Sequence, residues 1–218
     1  MNRITRRFAF RALAAALLIA GASLALAPRA RADEAPGPMI GRLSQDLIDT
    51  IRADKTLQSG DIAPLVALVD RKIMPNVDFR RMTAAATGPA WRRASPEQQQ
   101  QLQEQFKMLL VRTYSGALRQ VGDQTVEVLP MRSKPGDQEV VVRTLIKTGG
   151  DPIQMDYRLY QTPGQGTGWK VYDLNVMGIW LIDTYRTQFA QQINAGGIDK
   201  LLQALSERNK SNNDAAAK

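Results

Sequence analysis

The chain has 218 residues, with 29 Lys and Arg against 21 Asp and Glu, and it contains neither Cys nor His. These absences exclude disulfides, thiolate or imidazole metal ligands, and every nucleophile activated by a histidine base. Any catalysis would have to use carboxylates, Tyr, Lys or Arg.

Residues 1–32 predict a secretory signal peptide. A basic start precedes an apolar run at 12–27, and Ala30-Arg31-Ala32 is typical of a cleavage site. We therefore expect residues 1–32 to be removed and the mature protein to start at Asp33. The segment holds six of the 29 basic residues and no acidic one, so its loss leaves 23 basic against 21 acidic side chains. A net charge of +2 gives no support to a nucleic-acid partner.

The first half of the mature chain predicts helices. Apolar residues recur at helical spacing over 40–51 and again over 65–73, where Asp61 is the expected cap. Asp78 is expected to cap a short helix over 79–86.

The clearest helix in the sequence starts at Ser95-Pro96-Glu97-Gln98, which is typical of a capping box with Pro at the first helical position. Apolar residues then form one stripe from Leu102 to Val121.

After Gly122 the hydrophobic period changes from 3.6 to 2, which predicts strands. The predicted strands cover 125–131, 139–148, the alternating segment from Ile153, and 169–177. Short turns between them imply a four-stranded antiparallel sheet. Two helices, over 179–193 and 198–207, and a flexible tail at 209–218 complete the chain. The predicted fold class is α+β, a single domain over 33–208 in which helices pack against a curved antiparallel sheet.

Residues 169–189 carry more apolar groups than one buried face requires. Trp180 points away from the stripe that packs the predicted helix, and apolar residues occupy both phases of the preceding strand, which predicts a bulge near 171–172. Either the segment is packed on all sides, or part of the surplus lines an internal cavity. Methionines favour an adaptable apolar wall, and Gly116 and Gly178 would allow close approach by a ligand or by a neighbouring backbone.

An ordered set of residues between about 40 and 205 carries a family likeness. The set comprises Phe79-Arg80-Arg81-Met82, Trp91, Pro96-Glu97-Gln98 at the start of a long helix with Phe106 and Tyr114, the strand over 169–178, and Tyr185-Arg186-x-x-Phe189. Together these residues resemble the MlaC family, the periplasmic phospholipid-binding proteins of a toluene-tolerance type ABC transport system.

The resemblance implies a periplasmic protein with a nuclear-transport-factor-like sheet, a helical lobe and a deep apolar pocket for phospholipid acyl tails. The implied ligand is phospholipid, with no cofactor and no metal. The implied partners are an inner-membrane MCE-domain ABC transporter complex and an outer-membrane lipoprotein complex, between which lipid is exchanged to maintain outer-membrane lipid asymmetry.

Twelve residues are the candidate lipid-binding residues. They are Phe79, Met82, Phe106, Leu110, Tyr114, Met155, Tyr157, Leu174, Val176, Met177, Trp180 and Tyr185. The family tends to carry a small or polar residue at the position of Trp180, so the resemblance implies a narrower pocket rim in this chain.

Two other readings stay open. An isomerase-type enzyme could use Asp156 or Asp173 beside a tyrosine, but strand alternation directs both carboxylates away from the apolar face, so we expect no enzyme. A periplasmic adaptor without bound lipid could instead use a basic cluster to meet acidic partners or anionic head groups. That cluster comprises Arg80, Arg81, Arg92 and Arg93.

Overall fold

The computed structural model of the protein describes residues 34–216 without Gly60 and Pro135, and side chains as far as Ser211. The predicted signal peptide, its cleavage site and Asp33 lie outside these residues. The helices are α1 (Pro36–Ala53), α2 (Ala63–Leu68), α3 (Phe79–Thr87), α4 (Pro96–Arg119) and α5 (Leu181–Ala216). The strands are β1 (Thr125–Val128), β2 (Glu139–Lys147), β3 (Ile153–Gln161), β4 (Trp169–Val176) and β5 (Ile179–Trp180).

Asp78 and Ser95 start helices as predicted, whereas the N-cap of α2 is Ile62 rather than Asp61. The Asp78 carboxylate accepts a hydrogen bond from the Arg81 N–H at 2.8 Å, and Ser95 and Gln98 form both hydrogen bonds of the capping box. The predicted helix over 65–73 is less regular, because α2 continues as a π-helical turn over Val69–Ile73 and a 3₁₀ turn over Met74–Asn76.

The sheet is antiparallel, with strand order β1-β2-β3-β4-β5. Arg158 lies opposite Asp173, whereas Leu159 lies opposite Val171. Tyr172 is therefore the extra residue of a β-bulge, which confirms the predicted irregularity at this point.

The sheet has five strands rather than the predicted four, and α5 begins two residues later than expected. Met177 (φ 51°) and Gly178 (φ 88°) turn the chain back so that Ile179 and Trp180 pair with β4 before the helix begins at Leu181. A strand of two residues is too short to show a period of 2, so the sequence favoured helix here.

Helix α5 reverses direction at Gly196 and Gly197, whose backbone angles are not helical. The segment before the break packs Tyr185 and Phe189 against Phe106 of α4, with ring centroids 4.8 and 5.1 Å apart.

The segment after the break runs back beside α4. The Gln98 side chain donates a hydrogen bond to Asp199 at 2.7 Å, and the buried Asn209 side chain donates one to the Gln105 carbonyl at 3.0 Å. Residues at the start of the predicted tail are therefore helical and packed, and the boundary of the folded part lies beyond Asn209.

Three clusters of buried apolar side chains form the core. The lobe cluster joins α3, α4 and α5, and its buried members are Phe79, Met82, Ala86, Trp91, Leu102, Phe106, Leu109, Leu181, Ile182, Tyr185, Phe189, Leu201 and Leu205. The sheet cluster lies between α1 and the sheet, with Met39, Ile40, Val140, Val142, Leu159, Trp169 and Val171. The α1–α2 cluster contains Ile51, Leu57, Leu65, Leu68, Val69 and Val111.

We predict that Gly197→Ala lowers the free energy of unfolding by about 1–3 kcal/mol, because φ 72° with ψ −163° is a conformation that only glycine adopts without strain. No atom lies within 4 Å of an added Cβ, so the substitution measures backbone strain without a steric clash.

The matched control is Gly116→Ala, at an exposed position inside α4. This change should stabilise the protein by about 0.5–1 kcal/mol through helix propensity. Urea denaturation of both variants checks the pair, and two changes of the same sign would contradict the assignment of the break.

Candidate apolar ligand-binding site

One face of the sheet is apolar across its central strands. Met155 and Tyr157 of β3 lie on this face, opposite Val176 and Leu174 of β4. Leu174 also packs against the lobe cluster, whereas Tyr157 packs against the sheet cluster. The Tyr157–Leu174 pair therefore marks the line along which the sheet meets the helical lobe.

Ten of the twelve candidate residues lie along this junction. Six belong to the lobe cluster or pack against it, namely Phe79, Met82, Phe106, Leu110, Tyr114 and Tyr185. The other four are the two cross-strand pairs, Met155 with Val176 and Tyr157 with Leu174. These ten residues come from three helices and two strands.

Burial divides the ten residues into two groups. Phe79, Met82, Phe106 and Tyr185 are buried and fill the lobe core. The remaining six are only half-buried, although their neighbours are apolar. Half-buried apolar side chains at a junction of core clusters are the surface available to an apolar ligand.

Two residues that the candidate set omits also lie at the junction. Val77 packs against both the lobe cluster and the sheet cluster, and Met74 packs against both the lobe cluster and the α1–α2 cluster. Both are half-buried. They sit in irregular chain between α2 and α3, where no hydrophobic period exists, so only the methionine content of the sequence pointed to this region.

Tyrosine hydroxyls are the polar groups of the junction. Burial raises the pKa of Tyr157, while hydrogen bonds with Ser44 and Thr144 act in the opposite direction. Burial also raises the pKa of Tyr185 and of its neighbour Tyr114. All three side chains are therefore neutral at physiological pH, and the junction offers hydroxyl groups rather than charges to a ligand.

Met177 and Trp180 do not join the other ten residues. The Met177 side chain is 70% exposed at the turn between β4 and β5. The Trp180 ring lies 3.7 Å from the guanidinium carbon of Arg158, on the opposite face of the sheet from Tyr157. Trp180 therefore does not narrow a rim of the junction. Gly116 is exposed and has no atom within 4 Å of an added Cβ, so it allows no close approach either.

Asp156 and Asp173 lie off the apolar face, which confirms the prediction from strand alternation. Neither carboxylate is open to solvent, since their exposed fractions are only 9% and 0%. The opposite face is covered locally, because the start of α5 and the Trp180 ring lie against it. Alternation specifies a face and does not reveal whether that face is covered.

The buried Asp173 carboxylate is fully paired. One oxygen accepts hydrogen bonds from the N–H groups of Leu174 (2.9 Å) and Ile182 (3.1 Å), and the other accepts one from Arg158 at 2.8 Å. Burial raises the pKa of Asp173, and the two backbone donors and Arg158 oppose that rise. These hydrogen bonds link β3, β4 and α5, which is a structural role and not that of a catalytic base.

The four arginines of the basic cluster differ in their surroundings. The Arg81 guanidinium carbon lies 3.9 Å from the Tyr172 ring and pairs with Glu139 at 2.6 Å. Arg80 lies over the Trp91 ring at 5.8 Å. Arg92 and Arg93 are exposed.

Other site types find no support in the described part of the chain. No group of three or more His, Cys, Asp or Glu residues is placed there to hold a metal ion. None of the described helices combines the length and the apolar character that crossing a bilayer requires. Two surface clefts of about 230 and 240 Å³ lie beside β2 and include none of the twelve residues.

Comparison with known proteins agrees with this architecture. The family described as MlaC protein matches residues 41–207. The chain belongs to the MlaC family.

The proteins similar to this chain include a solved structure. The toluene tolerance protein ttg2D of Pseudomonas putida is 26% identical over 169 residues, which is 77% of each chain. The intermembrane phospholipid transport system binding protein MlaC of Haemophilus influenzae is 20% identical over 177 residues, covering 81% of this chain and 83% of that protein. The phospholipid-binding protein of Ralstonia solanacearum, solved in complex with a phospholipid, is 44% identical with a TM-score of 0.77, and the match covers 81% of this chain and 97% of that one.

We predict that Asp173→Ala lowers the free energy of unfolding by about 1–3 kcal/mol, because the buried Ile182 N–H loses its acceptor. Asp173→Asn keeps an oxygen for that donor and should cost less. Urea denaturation measures both variants.

The control for this pair is Asp183→Ala, which removes an exposed carboxylate from the first turn of α5. Its cost should stay below about 1 kcal/mol. If Asp173→Ala and Asp183→Ala lowered the free energy of unfolding equally, the buried carboxylate would not link these elements.

Proposed function

We propose that this protein is a periplasmic phospholipid carrier that holds acyl chains at the junction between the helical lobe and the apolar face of the sheet. The observation that carries the proposal is the match, at 44% identity, to a protein solved with a phospholipid bound. The half-buried apolar side chains at the junction, from Leu110 and Tyr114 of α4 to the Tyr157–Leu174 pair, support it.

Hydrophobic burial supplies the binding energy of such a carrier. Two acyl chains with roughly 30 methylenes, at about 0.8 kcal/mol each, lose about 24 kcal/mol of gross stabilisation when exposed to water. This driving force is non-directional, so the carrier should select ligands by tail volume more than by head group. Neutral tyrosine hydroxyls suit such a site, because a charge in the wall would be costly beside acyl chains.

The proposed carrier exchanges lipid between outer-membrane and inner-membrane components of an ABC transport system. Spontaneous release of two acyl chains into water is slow, so unloading requires a partner that offers a comparable apolar path. The proposed partners are an inner-membrane MCE-domain transporter complex and an outer-membrane lipoprotein complex. Carriage of this kind needs no catalytic residue, and Asp156 and Asp173, the two carboxylates considered for an enzyme, are buried on the other face of the sheet.

Native mass spectrometry of the protein purified after export and without detergent tests the proposal. We expect one species heavier than the polypeptide by the mass of a phospholipid, which organic extraction then identifies. A folded protein that carries no lipid and takes up no added phospholipid would refute the carrier and favour the adaptor.

A substitution at the junction tests whether its half-buried apolar side chains form the wall of the lipid site. We predict that Leu110→Trp weakens phospholipid binding more than about tenfold, because an indole that displaces only two methylenes from the site removes about 1.6 kcal/mol. Occupancy in the native mass spectrum measures the effect, and circular dichroism verifies folding.

Gly116→Trp is the matched control, since it introduces the same ring on the same helix at an exposed position. Its occupancy should equal that of the unchanged protein. A folded Leu110→Trp variant with full occupancy would remove this part of α4 from the proposed wall.

A further inference from the structure

The turn between β4 and β5 presents apolar side chains to solvent. Among the described residues three large apolar side chains are exposed, Met177 (70%), Ile179 (60%) and Val141 (40%), and two of the three belong to this turn. We call Met177, Gly178 and Ile179 the apolar tip. No charged residue occurs between 174 and 182, so the tip lies inside an uncharged segment of nine residues.

The apolar tip is held in place by hydrogen bonds. The Gly178 N–H donates to the side-chain oxygen of the buried Asn175 at 2.8 Å, and the Met177 N–H donates to the Gln154 carbonyl at 3.0 Å. Met177 adopts φ 51°, a conformation uncommon for residues other than glycine. A turn fixed in this way presents its two apolar side chains without the ordering cost of a mobile loop.

An aromatic ring and a cation stand directly behind the tip. Trp180 follows it in β5 and is half-buried, and the Arg158 guanidinium stacks on the indole with its side chain 34% exposed. Tryptophan favours the interface between acyl chains and head groups, and arginine reaches toward phosphates from that depth. The side chains thus become more polar from the apolar tip to the indole and then to the guanidinium, as a bilayer does from its acyl chains to its head groups.

The apolar face of the sheet reaches the protein surface at the same place. Ile179 pairs with Val176, and Val176 pairs with Met155 on the face that continues to Tyr157 and Leu174. An apolar path along the sheet therefore ends at the tip.

We propose that the apolar tip inserts into the surface of a lipid bilayer, with Trp180 at the head-group level. Because residues 174–182 carry no charge, apolar burial drives the insertion and anionic lipid is not required. This docking surface goes beyond the proposed function and stands on the tip alone, whether or not the protein holds lipid.

Flotation of the protein, purified after export, with vesicles of pure phosphatidylcholine tests the proposal. The unchanged protein should float with the vesicles, and high salt should have little effect. The double substitution Met177→Asn and Ile179→Thr should reduce partitioning at least about tenfold, since it removes two apolar side chains from the contact. Asn tolerates positive φ and Thr suits a strand, so the fold should persist, which thermal melting verifies.

Two controls bracket the result. Met177→Leu with Ile179→Val should retain binding, and Val141→Thr, three strands away from β5, should leave it unchanged.

Fluorescence quenching tests the depth of Trp180. Phosphatidylcholine brominated in its acyl chains should quench Trp180 fluorescence, because Trp91 and Trp169 are buried.

Absence of vesicle binding by the unchanged protein would overturn the proposal and leave the tip as a contact for protein. Binding that depends on anionic lipid and disappears in high salt, or that survives the double substitution, would also overturn it. Lipid occupancy in the native mass spectrum is a separate readout, so loss of docking and loss of cargo are distinguishable.

Discussion

The buried carboxylate of Asp173 fixes how the sheet and the helical lobe meet. A charge without water is tolerated only when it is paired and hydrogen-bonded, and this one is satisfied by Arg158 of the neighbouring strand and by the first turn of α5. The direction in which α5 leaves the sheet follows from that bond. Tyr185 and Phe189 reach the Phe106 ring because the helix starts from this point.

The bulge at Tyr172 allows β4 to pack against both the sheet cluster and the lobe cluster. Without it, residues three apart on a strand would lie on opposite faces, yet Val171 and Leu174 share the apolar face because the extra residue lies between them. Val171 belongs to the sheet cluster and Leu174 packs on the lobe cluster. Tyr172 instead stacks on Arg81, which links α3 to the sheet. A local irregularity of the backbone thus creates the junction between the sheet cluster and the lobe cluster.

Local chemistry made much of the fold predictable from the sequence. The capping box at Ser95, the cap at Asp78, the change of hydrophobic period after Gly122 and the conflict of phase near Tyr172 each act within a few residues, and each prediction was confirmed. The candidate residues at the junction rest on the apolar surplus combined with a family resemblance, and they stay a prediction.

Features that depend on what packs over a surface were not predictable. The phase of β3 and β4 placed Asp173 on the correct face, but nothing in the sequence shows that the start of α5 covers that face. The family resemblance places Trp180 at a pocket rim, and the sequence pattern favours helix at this position, but the residue lies in the two-residue strand β5. Val77 and Met74 lie in chain with no period, so only the packing of three clusters reveals them.

The helical lobe combines α4, which precedes the strands in the sequence, with α5, which follows them. This long sequence separation bears on the order of folding. Gln98 bonds to Asp199 and Gln105 to Asn209, separations of 101 and 104 residues. Closing loops of that length carries an entropic cost before any contact compensates for it, whereas the hairpins of the sheet close over a few residues. The sheet should therefore form early, and the lobe should complete last. The wall that α4 and α5 build together exists only once nearly the whole chain is in place.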